Sequence, residues 1–346
     1  MRQVGKLPIA TVLFYVFQAD AFLPQRPTVS SSITRIHSVV EQDDHRKHSY
    51  FLSLEEINPI ITLNKDKSSI KVVNAFGLWC AVVSLTLAPI WTLAMSMVKM
   101  AHNMNEDFDP QRAIYDKTGK IWAKSWLALT NSIPTYSGEI ESLRQGQGPC
   151  LYVANHASWL DIPILCTVLD PVFKFIAKGE LKNVPCIGQQ LTGGDHIIID
   201  REDKRSQLRT FKDGLNWLKN GVPIMAFPEG KRSQDGRLMD FKGGLFSMAT
   251  KAGVPIIPIT ISHAHAVMPS VSLFPVQPGR GKLHLHVHPA IDSAGRTEAE
   301  LQELVKAAFL SQLPEDQLPL NAASSDQTSS SVVDVPAALK PVEAGN

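Results

Sequence analysis

A histidine and an aspartate stand five residues apart in Asn155-His156-Ala157-Ser158-Trp159-Leu160-Asp161, and cations gather farther on in Phe227-Pro228-Glu229-Gly230-Lys231-Arg232-Ser233. Imidazole takes a hydroxyl proton well near neutral pH. A carboxylate on its other ring nitrogen would fix the tautomer and stabilise the imidazolium that develops. Arginine forks onto phosphate oxygens and lysine adds a point charge. The combination suits acyl transfer from a thioester to an alcohol that carries a phosphate. A thiolate leaves with little acid assistance, so no second acid is required. No Gly-x-Ser-x-Gly elbow occurs, which leaves direct attack by the acceptor hydroxyl as the simplest mechanism.

The histidine and aspartate can meet only if the chain bends between them. A five-residue step is about 140° round an ideal helix, so the two would not share a face in mid-helix. Val153 and Ala154 read as a strand end, and Pro163 favours a helix start at 160 to 162. His156 is therefore expected in a strand-to-helix loop, with Asp161 at the helix N-terminus turning back to it. The spacing alone is not specific, because His102 and Asp107 share it in a polar connector with no strand before them.

Lys178, Arg201, Lys231, Arg232 and Lys242 fall at strand ends or in adjoining loops. Such ends gather the ligand in α/β folds. Glu229 would repel a phosphate, so it is expected to orient an arginine or to fix the loop. His263, His265, His284, His286 and His288 form a further group, the last three on one strand face. Without a partner carboxylate or cysteine spacing, a polar strand face is the reading preferred over a metal site.

These residues need a framework of alternating elements. From Gly148 onward, apolar runs at Cys150–Ala154, His196–Ile199, Pro223–Phe227, Val254–Ile261 and Leu283–Val287 alternate with helical stretches at Ile162–Leu169, Ser206–Asn220 and Gly244–Ala252. That rhythm predicts an α/β domain. A last helix is expected over Thr297–Leu310, and Pro110–Leu129 reads as helical, with Trp122 and Trp126 in core packing or at a membrane interface.

The chain of 346 residues, 44% hydrophobic, is long enough for one large domain, or two small ones, with a full core. A net charge of +1 argues against a nucleic-acid partner. Cys80, Cys150, Cys166 and Cys186 have no zinc-like spacing and read as free thiols. Val72–Val98 contains no charged residue and would make a helix about 40 Å long against a hydrocarbon core of roughly 30 Å. Pro89 interrupts it, so the segment either spans with tilt or forms two short helices dipping into one leaflet.

The expected organisation is a signal peptide at 1–21, ending after Ala19-Asp20-Ala21, a transit-like segment at 22–50, and a linker at 51–71. A membrane-embedded helix or hairpin follows at 72–98, then a catalytic domain at 99–313 and a disordered tail at 314–346. The two leading segments resemble the bipartite plastid presequences of diatoms and related algae. A plastid membrane, the envelope, is thus the expected location, with the endoplasmic reticulum membrane as the alternative.

In order, the chain carries the His-x4-Asp block, Lys178-x-Glu180-Leu181-x-x-x-Pro185-x-x-Gly188 running on to Ile199-Asp200-Arg201, Phe227–Ser233, and Val254-Pro255-Ile256-Ile257-Pro258. Together they resemble the membrane-associated 1-acyl-sn-glycerol-3-phosphate acyltransferases. The resemblance covers roughly residues 70 to 290. It implies a glycerolipid acyltransferase domain, a mixed sheet flanked by helices, preceded by a membrane-embedded helical segment. It implies that His156 is the general base and Asp161 its partner. It implies that Glu229, Gly230, Arg232, Lys178 and Arg201 shape the phosphate site.

The implied reaction moves an acyl group from acyl-CoA or acyl-carrier protein to the sn-2 hydroxyl of lysophosphatidate within membrane lipid, giving phosphatidate and consuming no cofactor. Two departures bear on the acceptor. Lys231 stands where the family usually has threonine, and Gly243 replaces the second lysine after Phe241-Lys242. Glycerol 3-phosphate or a lysophospholipid are the rival acceptors, and a catalytically silent lipid-binding protein is the rival of another class. A hydrolase would require thioester hydrolysis without an acceptor.

Overall fold

The computed structural model describes residues 46, 49–64, 70–144, 148–169, 172–200 and 203–320. The proposed signal peptide, most of the transit-like segment, Arg201 and the tail beyond 320 lie outside the described residues.

A short helix α1 (Leu54–Ile57) and an antiparallel hairpin of β1 (Ile61–Asn64) and β2 (Ile70–Val73) precede α2 (Ala75–Met104), a single helix of 30 residues. Next come α3 (Ala113–Leu129), β3 (Thr135–Gly138), α4 (Ile140–Arg144), β4 (Leu151–Ala154), α5 (Asp161–Val168) and β5 (Lys174–Lys178). The chain continues through α6 (Ile187–Gly193), β6 (Ile197–Ile199), α7 (Lys204–Lys219), β7 (Ile224–Ala226), α8 (Gly244–Ala252), β8 (Ile256–Ser262), α9 (Ala264–Val267), β9 (His284–Val287) and α10 (Glu298–Gln312).

Seven strands form one sheet in the order β3-β9-β8-β4-β7-β5-β6. β8, β4, β7, β5 and β6 run parallel, β9 is antiparallel to β8, and β3 is parallel to β9. The sheet is therefore mixed, with helices on both faces. Strand alternation sends Tyr152 and Ala154 of β4 into a core with α2, α3 and α5, and Leu151 and Val153 into a second core with α8 and α10. β3 and β5 were not foreseen. Both are short and half-polar, and lie beside strands distant in sequence.

Four expected boundaries change. Tyr50 sits edge-on to His263 at 4.8 Å, and Arg46 Nη1 donates to the Ser311 carbonyl at 2.6 Å, so the end of the transit-like segment belongs to the fold. The linker at 51–71 holds a capped helix turn and the hairpin, because Val72 N–H donates to Val271 O at 2.9 Å and ties β2 to the domain. The two-helix version of 72–98 is not adopted: α2 passes through Pro89 and beyond Lys99 to Met104. Proline costs the interior of a helix a bond and a clash. Packing of Cys80 and Val83, and of Trp91 and Met95, on either side of it outweighs that cost. The tail begins later than 314, since Gln317 is fully buried and its Oε1 accepts from His263 N–H at 2.8 Å.

Candidate active site

The β4–α5 connection holds the imidazole and the carboxylate together. Asn155 clamps the strand end to β8: its Nδ2 donates to Ile261 O at 2.9 Å and its Oδ1 accepts from Ile261 N–H at 2.7 Å. The chain then turns, and Asp161 opens α5 with its side chain directed back into the turn. Asp161 Oδ2 accepts from His156 Nδ1 at 2.8 Å and from the N–H groups of Ala157 at 2.8 Å and Ser158 at 2.9 Å. A fully buried carboxylate with three donors on one oxygen requires the proton on Nδ1 of His156. Nε2 then carries a lone pair. The ring itself lies flat on Phe227, with centroids 3.8 Å apart and planes 11° off parallel.

The segment after β7 is stitched to the backbone of His156 from both sides. Glu229 Oε1 accepts from His156 N–H at 2.6 Å, and Ser233 N–H donates to His156 O at 2.8 Å. Glu229 Oε2 accepts from Met239 N–H at 3.0 Å. Of the two roles foreseen for Glu229, it takes the loop-fixing one, and its oxygens are spent on backbone amides rather than on an arginine. Burial pushes its carboxyl up to about 8, opposed by the two amides and aided by the Asp161 charge.

Gly230 turns the chain with φ +73°, a conformation that penalises a side chain. A Cβ there would also come within 3.1 Å of the Lys242 stem, so Lys242 covers the back of this turn.

His156 opens on a cavity of about 770 Å³, within the roughly 300–1,000 Å³ range usual for ligand sites. Arg232, Lys231 and Lys178 line it too, whereas Glu229, Gly230 and Lys242 do not. The Arg232 guanidinium lies over the Trp159 ring at 4.7 Å. Burial lowers its pKa and the nearby Asp161 charge supports it. Lys178 is paired at the surface with Glu180 at 2.7 Å.

Away from the cations the lining of the cavity is mostly apolar, with Ser84, Asp116, Gln190 and His196 as polar exceptions. Trp91, Trp122 and Trp126 line it as a stack with centroid spacings of 4.5 and 6.3 Å. Trp126 is buried in the core and Trp122 packs against it, as the core-packing alternative expects, and both also wall the cavity. Trp159 and Ser233 were not singled out from the sequence as site residues, although both lie inside the motifs. The four cysteines are free, and Cys166 and Cys186 reach the cavity.

His284 and His286 of β9, with His288 just past its end, form a largely buried polar face. His284 and His286 each bond Ser137 at 2.8 Å, and His288 Nε2 bonds Thr260 at 2.8 Å. Among the described residues, no group of three potential ligands could hold a metal ion.

A family model described as Acyltransferase matches residues 134–262. A 1-acyl-sn-glycerol-3-phosphate acyltransferase of Chlamydomonas reinhardtii is 32% identical over 242 residues, covering 69% of this chain and 68% of the relative. A chloroplastic 1-acyl-sn-glycerol-3-phosphate acyltransferase of Arabidopsis thaliana is 34% identical, covering 60% of this chain and 57% of the relative. The crystal structure of the lysophosphatidate acyltransferase PlsC from Thermotoga maritima matches with a TM-score of 0.49 at 25% identity, over 65% of this chain and 93% of that one. The likeness to the algal relative over two thirds of both chains, with the family model on the motif-bearing sheet, decides the assignment: the chain belongs to the 1-acyl-sn-glycerol-3-phosphate acyltransferase family.

Proposed function

We propose that the protein transfers a fatty acyl group from the thioester of acyl-CoA or acyl-carrier protein to the sn-2 hydroxyl of lysophosphatidate, giving phosphatidate. One observation carries the mechanism: Asp161 holds Nδ1 of His156, which leaves Nε2 as a base in a cavity shared with Arg232. Nε2 takes the hydroxyl proton as the oxygen attacks the thioester carbon. The Asp161 carboxylate stabilises the imidazolium. Collapse of the tetrahedral intermediate expels the thiolate, which recovers the proton from His156. Arg232 and Lys231 hold the acceptor's phosphate, and the tryptophan-lined part of the cavity takes an acyl chain.

A membrane seat fits α2, which is long and apolar enough to cross a bilayer. One side of it, with Cys80, Val83, Trp91 and Met95, packs on the domain, while Leu78, Val82, Leu85 and Leu93 face outward. A helix packed lengthwise on an α/β domain favours burial in one leaflet over crossing. The chloroplastic relative and the composition of residues 1–50 support a plastid membrane.

The test is labelled acyl transfer from acyl-CoA and acyl-carrier protein to lysophosphatidate, lysophosphatidylcholine and glycerol 3-phosphate. His156→Ala is expected to lose at least about a hundredfold in kcat while still folding and binding membranes. Retained activity would sink the base assignment. The cavity-lining Lys231 favours a phosphate monoester over a choline headgroup, and turnover of lysophosphatidylcholine alone would move the acceptor.

A further inference from the structure

The β1–β2 hairpin brings one more cation near the acceptor end of the cavity, next to lining residues rather than as one of them. Lys71 lies in β2, three residues before Asn74, the cap of α2. Its neighbour Val72 is tied into the loop after α9: Val72 N–H donates to Val271 O at 2.9 Å, and Leu273 N–H donates to Val72 O at 3.2 Å. The Lys71 ammonium donates to the Ser270 carbonyl. Ser270 Oγ donates in turn to Gln234 O at 3.0 Å. Leu273 and Gln234 both line the cavity, and Gln234 is two residues from Arg232. Lys71 is thus fixed, at backbone and head, to the segments that wall the site beside Arg232.

The charge of Arg232 reaches Lys71. Burial first, then the Arg232 charge, hold the Lys71 ammonium below its ordinary value. Among the described residues, neither cation has a carboxylate in an ion pair: the nearby Asp161 spends Oδ2 on His156 and two amides, and its charge supports Arg232 from beyond ion-pair distance. Repulsion between half-buried like charges is relieved by an anion placed between them.

We propose that Lys71 is a binding residue for the acceptor's phosphate, closing on it from β2 while Arg232 closes from the loop after β7. This rests on the lysophosphatidate reading above. A backbone carbonyl is a neutral partner, and an ammonium has two more donors to give. The position also links headgroup recognition to the membrane seat, because Lys71 stands just ahead of the apolar helix.

The experiment compares wild type, Lys71→Gln, Lys71→Met and Lys71→Arg, as full chains in vesicles of phosphatidylcholine and phosphatidylglycerol. Lys71→Gln keeps a donor for Ser270 without the charge. The expected result is an acceptor KM for lysophosphatidate raised about tenfold in the Gln and Met variants, with kcat and the donor KM within about twofold. Lys71→Arg restores most of the loss. Monoacylglycerol, which lacks the phosphate, is expected to be turned over equally by wild type and Lys71→Gln, whereas a structural defect would slow both acceptors.

An unchanged lysophosphatidate KM in an active Lys71→Gln enzyme overturns the proposal alone. So does a defect confined to vesicle binding, which would assign the cation to the membrane surface. A wild type that turns over another acceptor but not lysophosphatidate overturns the functional reading and the proposal with it.

Discussion

At the scale of residues, the site depends on where three carboxyl oxygens are spent. Asp161 Oδ2 serves the imidazole and two amides, and the two oxygens of Glu229 serve the amides of His156 and Met239. Glu229 therefore acts through His156 as a positioning residue. Glu229→Gln would set an amide N–H₂ against a backbone N–H, leaving a buried donor without an acceptor, a fault worth about 1–3 kcal/mol. The expected outcome is a fall in kcat of about tenfold or more with a lowered Tm, read by steady-state kinetics and thermal melting. A Gln variant with wild-type kcat would show that the loop needs no such anchor.

The elements do different jobs on their two sides. Pro89 does not break α2, because burial of Cys80, Val83, Trp91 and Met95 holds the helix on the domain. The opposite side carries Leu78, Val82, Leu85 and Leu93, between 37 and 75% exposed. Nothing in the core depends on those four, whereas an aspartate in hydrocarbon costs about 3 kcal/mol. The double variant Leu85→Asp/Leu93→Asp is accordingly expected to leave the vesicle pellet for the supernatant while melting within a few degrees of wild type. Continued sedimentation with vesicles would place the membrane seat elsewhere.

For the whole molecule, titration limits stability from both sides. Burial pushes His286 down to about 4 and His288 well below 6.5, the latter aided by His286. Their neighbours are Ser137 on β3 and Thr260 on β8, together with each other's rings at 4.5 Å. The unfolded chain binds these protons near 6.5 and the fold refuses them, so stability is full above 6.5 and is lost as pH falls toward 4. Glu229 acts in the other direction. Its carboxyl is raised from 4.5 to about 8, so its contribution is full below 4.5 and is lost as pH rises through 8. Melting temperature against pH is expected to fall at both ends. Glu229→Gln should flatten the alkaline limb and His288→Asn the acid one, and limbs unchanged by these substitutions would assign the titration to other groups.

Read alone, the chain already determined the strand–helix rhythm, the paired His156 and Asp161 across a bend, and the cation-bearing motif at the end of β7. Each is written within a few residues, where local propensity and side-chain chemistry act directly. The partners of that motif were decided only by the tertiary structure. Glu229 meets a backbone amide 73 residues away, and Lys71 meets a carbonyl 199 residues away. The hairpin hidden in an apparent linker has strands of four residues, too short to announce themselves, and its anchor is Val271 across the fold. Trp122 and Trp126 show the same limit. Their helical spacing is local, but whether a ring meets core, lipid or cavity depends on what the sheet brings opposite to it.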